Sequence, residues 1–113
     1  MSTITTHILD VSVGRPARGV PVVLEFWDST GWCVVGRGST DEDGRLRDLL
    51  PPNHQPQPGS YCLIFETTTY FAMRQVEAFY PEIRVTFTIR DAAQHYHVPL
   101  LLSPFGYSTY RGS

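Results

Sequence analysis

The stretch Glu82-Ile83-Arg84-Val85-Thr86-Phe87-Thr88-Ile89 sets Ile83, Val85, Phe87 and Ile89 against Arg84, Thr86 and Thr88. Successive side chains on a strand point to opposite sides, so this strict alternation predicts a strand with one buried face. The same texture returns on either side of it. Thr5 to Val13 is loosely alternating and rich in β-branched residues, Gly14-Arg15-Pro16-Ala17-Arg18-Gly19 interrupts it, and Val20 to Trp27 resumes. Asp28-Ser29-Thr30-Gly31 is a compact turn before a strand from Trp32 to Gly38. Thr40-Asp41-Glu42-Asp43-Gly44 is an acidic turn ending in a glycine suited to positive φ, followed by a brief extended piece from Arg45 to Asp48. The proline-rich run from Pro51 to Gly59 suits neither a helix nor a central strand and predicts a surface loop leading into a strand from Ser60 to Glu66. Two more strands are expected at the C-terminal end, Tyr96 to Leu102 and Phe105 to Tyr110, split by the Ser103-Pro104 turn. Only Thr69 to Phe79 reads as a helix, with Tyr70, Met73 and Val76 at helical spacing before Tyr80-Pro81 stops it. Seven or eight short strands with regular turns describe an all-β sandwich carrying one short α-helix.

Composition narrows what such a sandwich can do. The 113 residues, 42% of them hydrophobic, suit a single domain spanning residues 1–113, with no internal repeat and no shift of composition along the chain. A chain of this size buries roughly 65% of its unfolded surface, enough for a core without a metal or disulfide staple. Nine basic residues against eleven acidic ones give a net charge of -2, and no arginine stripe is present to neutralise a run of phosphates, so nucleic acid is not an expected partner. All nine basic residues are arginines. The absence of lysine excludes Schiff-base chemistry, a Walker-type phosphate lysine and a lysine general base, so any fixed positive charge in a site is arginine. Cys33 and Cys62 stand in no metal-like pairing and are expected as free thiols. The N-terminus has neither the basic region nor the apolar run of a signal peptide, and no stretch approaches the ~20 apolar residues of a membrane span. The expectation is a cytoplasmic protein without a membrane partner.

The chemistry-bearing residues are few. His54 lies in the proline-rich loop and reads as a solvated side chain. His7 sits in an apolar strand, where an imidazole is costly to bury unpaired, so it either has a partner or faces a cavity. The period of a strand puts His95 and His97 on one face if pairing has begun by His95. Two such histidines can chelate a metal, but zinc needs a third protein ligand that the spacing does not supply, and no metal or other cofactor is expected. The Asp41-Glu42-Asp43-Gly44 turn fails as a calcium loop, because Arg45 takes a ligand position and no glutamate follows at the twelfth. There is no Gly-x-Ser-x-Gly elbow, and neither cysteine has a catalytic context. What remains is histidine acid/base chemistry with an arginine to stabilise developing negative charge.

The run His95-Tyr96-His97-Val98-Pro99-Leu100-Leu101-Leu102-Ser103-Pro104-Phe105-Gly106-Tyr107-Ser108-Thr109-Tyr110-Arg111-Gly112-Ser113 resembles the C-terminus of the transthyretin-related family. Its Tyr110-Arg111-Gly112-Ser113 ending resembles that of the family's 5-hydroxyisourate hydrolases and distinguishes them from its hormone carriers. Thr6-His7-Ile8-Leu9-Asp10, Thr40-Asp41-Glu42-Asp43-Gly44-Arg45 and Phe79-Tyr80-Pro81-Glu82-Ile83 extend the resemblance over essentially the whole chain. It implies a transthyretin-like sandwich of two four-stranded sheets, assembled as a homotetramer, a dimer of dimers, whose channel holds the sites. It also implies catalytic roles for His7, Arg45 and His97, and substrate binding by Tyr110, Arg111, Gly112 and Ser113.

The activity implied is hydrolysis of 5-hydroxyisourate, a purine-derived small molecule, to 2-oxo-4-hydroxy-4-carboxy-5-ureidoimidazoline in urate degradation. On this reading one of His7 and His97 activates water and the other serves the departing nitrogen, because histidine exchanges protons near neutrality. Arg45 offers a planar donor fork to a substrate oxygen, and Arg111 fixes the tail. The alternative is a non-catalytic carrier that holds an aromatic ligand in the same channel. Strand parity groups His7 with Leu9, His97 with Pro99 and Leu101, and Ser108 with Tyr110, three sets able to line one surface.

Overall fold

The structure is a computed structural model and describes residues 3–113. Met1 and Ser2, the first two residues of the single domain assigned to 1–113, lie outside the described residues. The elements are β1 (Ile4–Asp10), β2 (Arg15–Pro16), β3 (Pro21–Trp27), β4 (Trp32–Ser39), β5 (Arg45–Leu46), β6 (Gly59–Phe65), α1 (Thr67–Met73), β7 (Ile83–Ile89), β8 (Tyr96–Ser103) and β9 (Gly106–Thr109). The alternation read in 82–89 holds in β7, where Ile83 and Ile89 are buried, Val85 and Phe87 half-buried, and Arg84, Thr86 and Thr88 exposed.

Two sheets face one another. One is the antiparallel sheet β4-β3-β6-β7; the other runs β2-β1-β8-β9, with β5 also pairing β1. The second sheet therefore has five strands where the sequence reading expects four. The two-residue pieces β2 and β5 each pair with a different part of β1, Leu9–Asp10 and Thr6–His7 respectively. β1 and β8 run parallel, from Ile4 opposite Tyr96 to Asp10 opposite Leu102. The core between the sheets takes Ile4 and Ile8 from β1, Leu100 and Leu102 from β8, and Leu24, Leu63 and Phe65 from the other sheet. Burying such side chains is worth about 1.5–3 kcal/mol each before the entropy of ordering is set against it.

The helix differs from its sequence reading. It covers Thr67–Met73, not Thr69 to Phe79, and Gln75 in the left-handed region (φ 57°) follows its end. Its buried residues are Thr67, Tyr70 and Phe71, whereas Met73 is 81% exposed and Phe79 67% exposed. The helical spacing of Tyr70, Met73 and Val76 thus does not mark the packed face. Instead Tyr70 packs inward and its hydroxyl donates to the carboxylate of buried Asp10 (2.7 Å). Burial and that carboxylate push the Tyr70 phenol up to about 12, so it stays a donor and pins α1 to the end of β1. Among the described residues no helix is long and apolar enough to cross a membrane, and Cys33 and Cys62 are free thiols.

Candidate active site

The acidic turn after β4 delivers the first group. Asp41 accepts hydrogen bonds at one carboxylate oxygen from the backbone N–H of Asp43 (2.9 Å) and of Arg45 (3.0 Å), and its carbonyl accepts from Gly44 N–H (2.9 Å). Those N–H groups hold the Asp41 carboxyl below its ordinary range, with Arg45 first. Gly44 closes the turn at φ 73°, where a side chain is strained and a Cβ would meet the Ile8 carbonyl. The Gly44 carbonyl accepts from Ile8 N–H (2.7 Å), and β5 lies against β1 with Arg45 directly opposite His7.

Pairing then carries the site across the sheet. On β1, Ile4, Thr6, Ile8 and Asp10 are buried, leaving Thr5, His7 and Leu9 to the outer face. On β8, Tyr96, Val98, Leu100 and Leu102 turn inward, leaving His97, Pro99 and Leu101 to the same outer face. The register sets Thr5 beside His97, His7 beside Pro99 and Leu9 beside Leu101, while Ser108 of β9 lies opposite Leu101. The first two sets therefore share one surface with Ser108, whereas Tyr110, the other member of the third set, lines a different cleft. Beyond β9, His97 bridges to Gly112, whose N–H donates to the His97 carbonyl (2.8 Å). Two rows result, Arg45–His7–Pro99 and Thr5–His97–Gly112.

A cleft of about 170 Å³ opens on the second row, lined by Thr5, Thr6, Arg45, Arg47, His95, His97 and Ser113. His7 stands beside it, adjacent to Arg45 in the pairing. Both imidazoles are held below their usual range, first by burial and next by the Arg45 guanidinium; His7 adds to the effect on His97. Both are therefore neutral at pH 7. Hydrogen bonds to the backbone of Asp43 for His7, and of Thr5 for His97, oppose the shift. An N–H that meets a carbonyl leaves the other ring nitrogen with its lone pair. Arg45 itself makes no ion pair among the described residues, while its neighbour Arg47 pairs with Asp41 (3.5 Å). The site thus holds a guanidinium without a carboxylate partner, next to two neutral imidazoles.

The tail divides. Gly112 and Ser113 reach the His97 cleft, and a Cβ on Gly112 would stand 2.6 Å from His97 Cδ2 and 3.1 Å from Pro99 Cγ, so the backbone can come this close only as glycine. Tyr110 and Arg111 instead line a second cleft of about 250 Å³, along with Val85 and Phe87 of β7 and Tyr96 and Val98 of β8. Arg111 donates to Gln94 Oε1 (3.1 Å) and the His95 carbonyl (3.3 Å), and lies 4.5 Å from the Tyr96 ring centroid. These contacts tie Arg111 to the segment just before β8. Sequence reasoning missed Thr5, whose hydroxyl lies 2.8 Å from His97 Nδ1 and 3.1 Å from His95 Nε2; its position two residues before His7 was the available signal. Arg47, which also lines the cleft, was missed too. Among the described residues no group of three or more histidine, cysteine or acidic side chains could hold a metal.

Comparison with known proteins gives the family. The chain is 50% identical over 110 residues to the 5-hydroxyisourate hydrolase of Salmonella dublin, covering 97% of this chain and 80% of that protein. It superposes on the structure of Klebsiella pneumoniae 5-hydroxyisourate hydrolase with a TM-score of 0.85 at 37% identity, each chain covered in full (100%). It also superposes on sea bream transthyretin in complex with thyroxine, with a TM-score of 0.91 at 29% identity over 98% of this chain and 95% of the other. The family model described as HIUase/Transthyretin matches residues 4–112, and the chain belongs to that family.

Proposed function

We propose that this chain hydrolyses 5-hydroxyisourate, opening its six-membered ring by attack of water on a ring carbonyl with cleavage of the bond to nitrogen. The observation that carries the reading is the convergence of Arg45, His7 and His97 on one sheet face, where burial first and the guanidinium next hold both imidazoles below their ordinary proton affinity. A neutral imidazole with a free lone pair takes the proton of the attacking water, and the resulting imidazolium returns it to the departing nitrogen. One of His7 and His97 takes and returns this proton, and the other, also neutral, donates its N–H as a hydrogen bond to the departing nitrogen, without a metal. Arg45, with no carboxylate to neutralise it, directs its fork at the carbonyl oxygen as charge develops there. Ser113, at the edge of the cleft, orients an N–H of the substrate through its hydroxyl.

The same face supports assembly. Leu9, Pro99 and Leu101 share it with the histidines, a mixture too apolar for open solvent, and it suits the dimer-dimer contact of a homotetramer whose channel encloses the substrate. The two free thiols suit a reducing compartment, and the cytoplasm is the proposed location.

The test is to generate 5-hydroxyisourate in situ with urate oxidase and follow its ultraviolet decay with and without the protein. Accelerated decay is expected. Unchanged decay in the presence of folded, tetrameric protein would remove the hydrolase reading and favour an aromatic-ligand carrier, the kind of use illustrated by the thyroxine complex of sea bream transthyretin.

A further inference from the structure

His97 meets Thr5 through one nitrogen, and Thr5 meets a second histidine. The Thr5 hydroxyl lies 2.8 Å from His97 Nδ1 and 3.1 Å from His95 Nε2, and the two rings stack at 6.4 Å between centroids with planes 11° apart. Thr5 is only 4% exposed, so this hydroxyl sits out of water between two imidazoles and has no other side-chain partner among the described residues. A hydroxyl has one proton to donate and lone pairs to accept with. It can therefore accept from one ring and donate to the other, which ties the tautomer of His95 to that of His97.

The direction follows from the use the cleft makes of the ring. On the hydrolase reading Nε2 of His97 must be free to take a proton, so the proton of the neutral ring sits on Nδ1, the nitrogen that meets the Thr5 hydroxyl. With the proton on Nδ1, His97 donates to the Thr5 hydroxyl, and the hydroxyl donates onward to His95 Nε2. Nε2 of His97 is left as the lone-pair nitrogen.

We propose that Thr5 and His95 are positioning residues that hold His97 as its Nδ1–H tautomer, with Nε2 presented to the cleft as the proton-accepting atom. The proposal rests on the hydrolase reading, while the contacts of Thr5 with the two rings do not. His95 lines the same cleft one residue before β8 begins, and its role here is exerted through the hydroxyl. Its carbonyl accepts from Arg111, which links the tail to the same corner. Arg45, Arg47 and His7 are the other charged or titratable side chains around this row, and none of them bonds His97 Nδ1.

The experiment joins nitrogen-15 NMR of the imidazoles in the tetramer at pH 8 to kinetics on in situ 5-hydroxyisourate, using wild type, Thr5→Val, Thr5→Ser and His95→Phe. Wild-type His97 is expected as Nδ1–H, and Thr5→Val should shift it toward the Nε2–H form that predominates in a free imidazole. Removing the partner that orients a metal-bound histidine typically costs roughly 10- to 100-fold, and Thr5→Val should lower kcat by a comparable factor with KM little changed. Thr5→Ser, which restores the hydroxyl, should recover most of that loss, and His95→Phe should give a smaller one. An Nε2–H tautomer in wild type would overturn the proposal. So would equal losses in Thr5→Val and Thr5→Ser, or wild-type kcat and pH profile in Thr5→Val. If wild type does not accelerate decay the hydrolase reading fails, while the NMR arm still decides the tautomer. If Thr5→Val does not fold, His95→Phe, changed at an exposed position, carries both arms.

Discussion

The outer faces of the two sheets carry arginines in different company. On the β4-β3-β6-β7 sheet, Arg84 meets Glu25 at 3.9 Å and also pairs with Glu82, with Thr86 and Thr88 exposed along the same strand. On the other sheet, Arg45 stands opposite His7 and makes no ion pair among the described residues. The charges on the first face are already answered, and exposed pairs of that kind contribute little. The charge on the second face is spent on its neighbours, depressing the affinity of His7 and His97 for protons. An arginine whose carboxylates are supplied is part of the surface; on the proposed reading, one beside two half-buried imidazoles is free to meet a substrate oxygen.

Substitutions on the two faces break or sharpen this contrast. The largest loss is expected from His97→Ala, on the order of 10²–10⁴ in kcat if the ring moves a proton in the transition state. Arg45→Ala should lose about 10²–10³, the usual cost of one donor to a developing oxyanion, and near-normal turnover in that variant would remove the role. Gly112→Ala should do less. Its Cβ must displace the His97 ring, whose Cδ2 would lie 2.6 Å away, by less than the 1 Å that can cost ~10²-fold. Arg84→Ala should leave turnover unchanged, since its partners lie on the opposite sheet face; a kinetic defect there would erase the distinction between the faces.

The pH profile sharpens the same comparison. Both site histidines are held below their ordinary value, first by burial and next by Arg45, so the proton-accepting form is favoured at neutrality and is lost as pH falls through the lowered values. Activity should decline on the acid side, with its limb below that of an ordinary imidazole. Replacing Arg45 with Gln removes a positive neighbour, raises both imidazoles and should move the acid limb to higher pH. A limb that stays in place would show that Arg45 does not set these protons.

Much of this was legible in the chain. Alternation along 82–89 marks β7, and the parity of His7 with Leu9, and of His97 with Pro99 and Leu101, gives the face each group occupies. Parity does not say which strand lies beside which. The parallel pairing of β1 with β8, and the placing of Arg45 opposite His7, join residues far apart in sequence, and no local pattern encodes that register. Thr5 was missed for that reason, because its hydroxyl acquires meaning only once β8 sets His97 beside it. The Tyr110–Ser113 motif was legible as a unit yet divides in space. On an extended chain neighbouring side chains diverge, so Arg111 lies over Tyr96 while Gly112 meets His97. The helix end was misplaced because Tyr70 packs with Phe71 and Thr67 rather than with Met73.

The most direct test of the central claim is a single decay experiment on in situ 5-hydroxyisourate with equal protein concentrations of wild type, His97→Ala and Arg84→Ala. The account predicts accelerated decay for wild type and Arg84→Ala alike, and decay at or near the uncatalysed rate for His97→Ala. Wild-type acceleration that survives in folded His97→Ala would contradict it.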